Sequence, residues 1–453
     1  MTKILIKNGR VIDPVNNIDD IRDIIVEGTK ISKVEKNISA IADNTIDASG
    51  KIVMPGLVDM HVHLREPGRE DKETIASGTK AALHGGVTSV LAMPNTSPCI
   101  DSTETIESLK NIIKKTANTN VFICGAITKN RFGKELSDIT GLEKFGAIAI
   151  SDDGVSVDSD ELMKEAMALA KKKNILVLCH SEDKSQSASG VVNLGFTSTR
   201  LGLRGISRES EYKRVERDLN LAKITGARVH ITHVSCKESI EIVRQAKKSD
   251  VKVTADVTPH HFSLTDEAVL TYDPNFKMNP PLRGKEDLAA IKQALKDGTI
   301  DAIASDHAPH TENEKEIEFD RAEFGVVGLE TELSVAITEL IGNGLLTWPE
   351  LVKKLSLNPS KILGINKGTL SVGSDADIVI ISPDKEWVVK KEFFVSKSKN
   401  SAFLGSKLKG VVEQTICNGK IYNNSSLRGP EASGLLVMTR GQYAHNSGFS
   451  HTF

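Results

Sequence analysis

GLVDMHVHL (56–64), DKETIASGTKAALHG (71–85) and GVTSVLAMP (86–94) follow one another as a short apolar run, a segment with apolar residues three and four apart, and a second apolar run. That succession reads as strand, helix, strand. The same rhythm continues outward. Further apolar runs stand at 120–128, 146–154, 175–183, 227–235, 251–261 and 300–310, making eight candidate strands. Segments 102–116, 159–173, 209–226, 237–249 and 285–298 carry helical spacing between them, with charges on the opposite face. Eight alternating strand–helix units predict an α/β chain folded as a closed (β/α)8 TIM-type barrel over residues 55–360.

The flanks read differently. KILIKNGRVID (3–13) and DIIVEGTKISKVEK (23–36) near one end, and ADIVIIS (376–382), WVVK (387–390) and QTICNGKIYN (414–423) near the other, are short strand patterns with Asn-Gly or Gly turns. IKNGRV and ICNGKI share a hairpin pattern. The two ends, 1–54 and 361–423, are therefore expected to build one small β-sandwich domain beside the barrel. Residues 424–453 lack periodicity and are rich in Ser, Gly and Asn, which predicts an irregular tail.

With 58 basic and 60 acidic residues in 453, and no basic run, nothing points to nucleic acid or an anionic membrane surface. No uncharged apolar run approaches the ~20 residues that span a bilayer, and MTKILIKNGRVIDP has no signal-peptide core. A cytoplasmic enzyme acting on a small molecule is expected. Cys99, Cys124, Cys179, Cys236 and Cys417 are scattered and without CxxC, and read as buried reduced thiols.

A barrel of this kind carries its active site at the C-terminal ends of its strands. His61 and His63 end the first candidate strand, Asp153 the fourth, His180 the fifth, His233 the sixth and Asp306 the eighth. A strand histidine taken singly is usually a hydrogen-bonded core residue. Four histidines and two aspartates on one rim reverse that reading. Side chains alternate along a strand, so His61 and His63 share a face that Val62 does not. Imidazole with carboxylate and no thiolate suits Zn²⁺, with Mn²⁺ and Co²⁺ open on ligand type alone. Six ligands would furnish two metals, with a carboxylate such as Asp153 bridging, and the pair would lower the pKa of bound water from ~15.7 to roughly 7. That is hydrolytic chemistry.

His84 and His230 read as structural, and His260 and His261 as either loop supports or direct contacts. Asp152 and His307 should point away from the faces of their neighbours Asp153 and Asp306. His310, four residues beyond Asp306, could reach a ligand.

DMHVHLREPGRE (59–70), with AMPNTSP, SDDG, CHSED, THVS, TPHHF, MNPPLR, SDHAPH and EFGVVGLET, resembles the bacterial-type (class I) dihydroorotases of the amidohydrolase superfamily. The resemblance runs from about residue 3 to 422 and includes GTLSVGSDADIVI, a segment typical of the superfamily's small β domain. It implies two Zn²⁺ per subunit, with His61, His63 and Asp306 on one, His180 and His233 on the other, and Asp153 shared. It also implies that Arg65, Asn95, Asn279 and His310 grip the substrate and that Phe324 and Gly325 offer backbone contacts. Asn95 and Asn279, beside prolines, could otherwise be turn residues. The implied reaction is reversible cyclisation of N-carbamoyl-L-aspartate to dihydroorotate in pyrimidine biosynthesis, with Asp306 moving the proton. A homodimer, and association with aspartate carbamoyltransferase, are the partners it suggests.

Hydantoinases, dihydropyrimidinases and allantoinases share the barrel and the reaction, but generally bridge their metals with a carboxylated lysine late in the fourth strand. FGAIAISDDG contains no lysine, and Lys144 lies ahead of it. A catalytically silent partner of aspartate carbamoyltransferase should have lost ligands, yet all six are present.

Overall fold

The computed structural model describes residues 2–187 and 189–427. The barrel strands are β1 (Leu57–Val62), β2 (Val87–Ala92), β3 (Asn120–Gly125), β4 (Ala147–Ile150), β5 (Leu176–Cys179), β6 (Val229–Ile231), β7 (Val253–Val257) and β8 (Ala302–Ile303). They pair in parallel in chain order. A parallel bridge from Val62 to His307 closes the ring, where His63 N donates to His307 O at 2.9 Å. Val58, Met60, Leu91, Cys124, Ala149, Leu176, Leu178 and Ala302 form one buried cluster drawn from these strands. Burying an aliphatic side chain of this kind contributes about 1.5–3 kcal/mol.

The crossover helices start where capping residues stand. Thr74 accepts from Ser77 N ahead of Ile75–His84, Ser102 from Thr105 N ahead of Thr103–Thr116, and Ser159 from Leu162 N ahead of Asp160–Lys173. Glu209–Thr225, Lys237–Lys248 and Lys285–Asp297 complete the predicted set.

Several strands end earlier than their apolar runs. β4 stops at Ile150 and β8 at Ile303, which places Asp153 and Asp306 in the loops just beyond. Backbone geometry gives a reason at two sites: His233 has φ 38° and Asp306 φ 47°, a region closed to an extended chain. A two-stranded flap, Val192–Asn193 with Gly205–Ile206, lies in a stretch without strand periodicity.

Both chain ends enter one eight-stranded sheet. Lys3–Asp13 pairs with Ile18–Glu27, Asn44–Asp47 and Ile52–Pro55, and Ile52–Pro55 pairs in turn with Ile378–Val388. ICNGKI is a hairpin, with Asn418 at φ 50° and Gly419 at φ 74° between Lys407–Cys417 and Lys420–Asn423. IKNGRV is not. It forms a bulge inside the single strand Lys3–Asp13, where Asn8 (φ 62°) donates its N–H to Asp23 Oδ1 at 2.8 Å. The Asn-Gly pair supplies the same left-handed residue to both, and the side chain of Asp23 captures the amide in one. All five cysteines are buried and free. Of the expected tail, Asn424–Leu427 is a short helix and 428–453 lie outside the described residues. Among the described residues no helix is long and apolar enough to cross a membrane.

Candidate active site

His61 lies within β1 and His63 one residue beyond it, while His180 directly follows β5 and His233 stands two residues after β6. With Asp153 and Asp306 they converge on one point. His61 Nε2 lies 3.2 Å from Asp153 Oδ1 and 3.5 Å from Asp306 Oδ1, and His63 Nε2 lies 3.4 Å from Asp153 Oδ2 and 3.2 Å from Asp306 Oδ1. Asp153 Oδ1 also faces His180 Nδ1 at 3.5 Å and His233 Nε2 at 3.8 Å. One carboxylate thus stands between four imidazoles.

Two triads bring their ligand atoms within 4.8 Å of one another: His61, His63 and Asp306, and His61, Asp153 and His233. The first is the set the resemblance implies for one metal. In the second, His61 stands where the resemblance places His180, whose Nδ1 lies 3.0 Å from His233 Nε2. Both ring nitrogens of His61, Nε2 of His180 and Oδ1 of Asp153 are buried without a hydrogen-bond partner among the described residues. Buried polar atoms rarely stay unsatisfied, and nitrogen and oxygen donors in this number suit borderline divalent metals. The residues present fit a metal centre.

The surroundings orient the donors. Asp59 Oδ1 accepts from His61 N at 3.0 Å, and Asp256 Oδ1 accepts from His233 N at 2.6 Å. His63 Nδ1 donates to Asn95 Oδ1 at 2.8 Å, which leaves the Nε2 lone pair to the cluster. Burial disfavours charge on His61, but Asp153 and Asp306 outweigh it and raise its pKa to about 10. His180 is raised to about 9, burial again being outweighed by Asp153 and Glu182. The carboxyl groups of Asp153 and Asp306, despite burial, are held well below their ordinary range by the histidines. The backbone is strained here as well, since Arg65 (φ 62°), His233 and Asp306 all take left-handed conformations.

Asp152 points away. It accepts from Ile127 N and Thr128 N and so supports the loop after β3. His230 is tied to Thr254 Oγ1 and Asp256 Oδ2, His84 to Glu330, and His307 contacts Glu73 and accepts from Gly328 N. His261 bridges Thr258 Oγ1 and Pro280 O, and His260 is buried with its ring centroid 4.5 Å from that of His261.

The other sequence-predicted residues surround the cluster. Arg65 Nε donates to Pro309 O at 3.1 Å and its Nη2 lies 3.2 Å from His310 Nε2. Asn95 spends its oxygen on His63, and Asn279 Nδ2 donates to Glu182 Oε2 at 3.1 Å. Phe324 O accepts from His310 Nε2 at 2.8 Å. Gly325 N donates to Lys277 O, and its carbonyl accepts from Lys315 Nζ and Asn400 Nδ2. A Cβ at Gly325 would lie 2.6 Å from Ala308 Cβ at φ +118°, so only glycine fits.

Sequence reasoning missed Asp59, Glu182, Asp256 and Lys72. Asp59 precedes His61 by two residues and Glu182 follows His180 by two, so a same-face argument could have found both. Lys72 carries no such signal.

Residues 50–239 match the model of the Dihydro-orotase-like family. A dihydroorotase of Elusimicrobium minutum is 54% identical over 95% of this chain and 100% of its own length. One of Geobacter metallireducens is 51% identical, over 92% and 99%. Among solved structures, an L-hydantoinase (dihydropyrimidinase) from Arthrobacter aurescens superposes with a TM-score of 0.84 at 26% identity, covering 93% of this chain and 96% of that one. A dihydropyrimidinase from Brevibacillus agri, at TM-score 0.79 and 23% identity over 93% and 95%, shares the fold. Identity above half across more than nine-tenths of both sequences is decisive: the chain belongs to the dihydroorotase family.

Proposed function

We propose that the six-residue cluster is the binuclear zinc centre of a dihydroorotase, with His61, His63 and Asp306 serving one metal, His180 and His233 the other, and Asp153 shared. As a cyclic amide hydrolase the chain acts on a small molecule, interconverting N-carbamoyl-L-aspartate and (S)-dihydroorotate in pyrimidine biosynthesis. The observation that carries the metal assignment is Asp153, whose two oxygens face His61, His180 and His233 on one side and His63 on the other. We place the chain in the cytoplasm, as a dimer able to associate with aspartate carbamoyltransferase.

When bound, the metals supply a water activated near neutral pH and a Lewis-acid contact for the ring carbonyl oxygen. The chain's own residues do the rest. Arg65 and His310, adjacent at 3.2 Å, present donors that fit the ring carboxylate, and the Asn95 and Asn279 amides flank the ring. Asp306, kept ionised by His61 and His63, takes the proton of the attacking water as the new C–O bond forms. It delivers that proton to the ring nitrogen as the C–N bond breaks. Ring closure runs through the same steps reversed.

Turnover of dihydroorotate beside hydantoin and allantoin tests the assignment. Dihydroorotate should be strongly preferred, and faster allantoin or hydantoin cleavage would sink the reading. Arg65→Lys keeps the charge but loses the planar fork. Its kcat/KM should fall roughly a hundredfold, mostly through KM, because a charge-assisted hydrogen bond is worth about 1.5–3 kcal/mol. Steady-state kinetics in both directions would show it.

A further inference from the structure

His310 is held from both sides. Its Nδ1 lies 3.1 Å from Lys72 Nζ, and its Nε2 lies 2.8 Å from the carbonyl oxygen of Phe324. Lys72 is buried, 4% exposed, and Glu314 Oε1 lies 2.9 Å from its ammonium. Glu314 is fixed in turn by Arg69 at 2.7 Å and by Thr311, whose N–H and hydroxyl donate to it at 3.0 and 3.1 Å.

An ammonium has only protons to offer and a carbonyl oxygen only lone pairs. An imidazole between them satisfies both contacts in one form alone, with Nδ1 bare and Nε2 protonated. The opposite tautomer would set N–H against N–H at Lys72 and leave the Phe324 carbonyl facing a lone pair. A doubly protonated ring would also meet the ammonium, and Arg65, Lys72 and Lys315 all oppose it. Among the described residues the buried lysine has no carboxylate partner besides Glu314.

We infer that Lys72 is a positioning residue that fixes the neutral Nε2–H tautomer of His310 and so aims a second donor, beside Arg65, at the substrate carboxylate. The inference rests on the reading of Arg65 and His310 as the carboxylate clamp. Lys72 touches neither the substrate nor the metal cluster in this scheme and acts through the ring alone.

Two-bond ¹H–¹⁵N imidazole spectra of the zinc-loaded, full-length enzyme test it, with His310→Gln identifying the His310 signals by difference. The wild type should show the Nε2–H tautomer. Lys72→Met should give mixed tautomers and raise the KM for N-carbamoyl-L-aspartate about tenfold with kcat within about twofold, the scale of one lost hydrogen bond. Lys72→Arg, also a pure donor, should restore both. An Nδ1–H tautomer in the wild type, or an unchanged spectrum and KM in Lys72→Met, would overturn the inference. If Lys72→Met does not fold, the wild-type spectrum and Lys72→Arg decide the matter. A shifted tautomer with unchanged KM, or His310→Gln with unchanged KM, overturns the clamp instead and leaves the tautomer assignment standing.

Discussion

Asp306→Asn should abolish turnover in both directions while leaving the metal in place. The asparagine oxygen preserves shape and a neutral donor to the metal that His61 and His63 also serve, but the amide cannot accept the proton of the attacking water. General acid–base catalysis contributes about 10²–10⁴-fold, and a group used twice, as acceptor and then donor, belongs at the upper end, so kcat should fall roughly 10⁴-fold. KM should change little, because Arg65 and His310 are untouched. The result depends on metal analysis of the same sample. Full metal with more than a tenth of wild-type kcat would remove Asp306 from the proton path, and lost metal would make it chiefly a ligand.

Metal removal is the second large effect. Stripping the enzyme with a chelator should lower activity by more than about 10³-fold, since neither the activated water nor the contact to the carbonyl oxygen survives, and zinc should restore it. The protonation of the histidines gives this experiment a pH signature. In the metal-free cluster His61 titrates at about 10 and His180 at about 9, so both hold a proton at pH 7. Ligation needs neutral imidazole, and binding must therefore release those protons. Affinity should then rise with pH between 6.5 and 8.5, about tenfold per unit for each proton displaced. Chelator competition across that range, with calorimetry in buffers of different ionisation enthalpy, measures both quantities. A pH-independent affinity with no proton release would contradict this account of the cluster.

The barrel was legible because its strands are apolar throughout and its helices amphipathic, patterns that survive in a linear string. The gathering of His61, His63, Asp153, His180, His233 and Asp306 was legible for a related reason. Each follows an apolar run, and the barrel turns that serial position into a common rim. What escaped depends on partners far apart in the chain. Asn95 looked like a substrate contact, and nothing in AMPNTSP shows that its oxygen would meet His63. Lys72 meets a histidine 238 residues away. The left-handed conformations at His233 and Asp306 cut strands short where residue type alone suggests continuation. The two Asn-Gly pairs make the point most plainly, because hairpin and bulge share one local signal and only the reach of Asp23 separates them.

The sheet made from both ends also constrains the order of assembly. During synthesis, Ile52–Pro55 can join Lys3–Asp13 as soon as both have emerged, but its other edge waits for Ile378–Val388, more than three hundred residues later. Until then that edge offers unpaired backbone groups, the kind of surface on which chains join wrongly. A ribosome that stops before residue 378 therefore releases a product able to close its barrel strands but with a strand edge left open, and the last tenth or so of translation seals it.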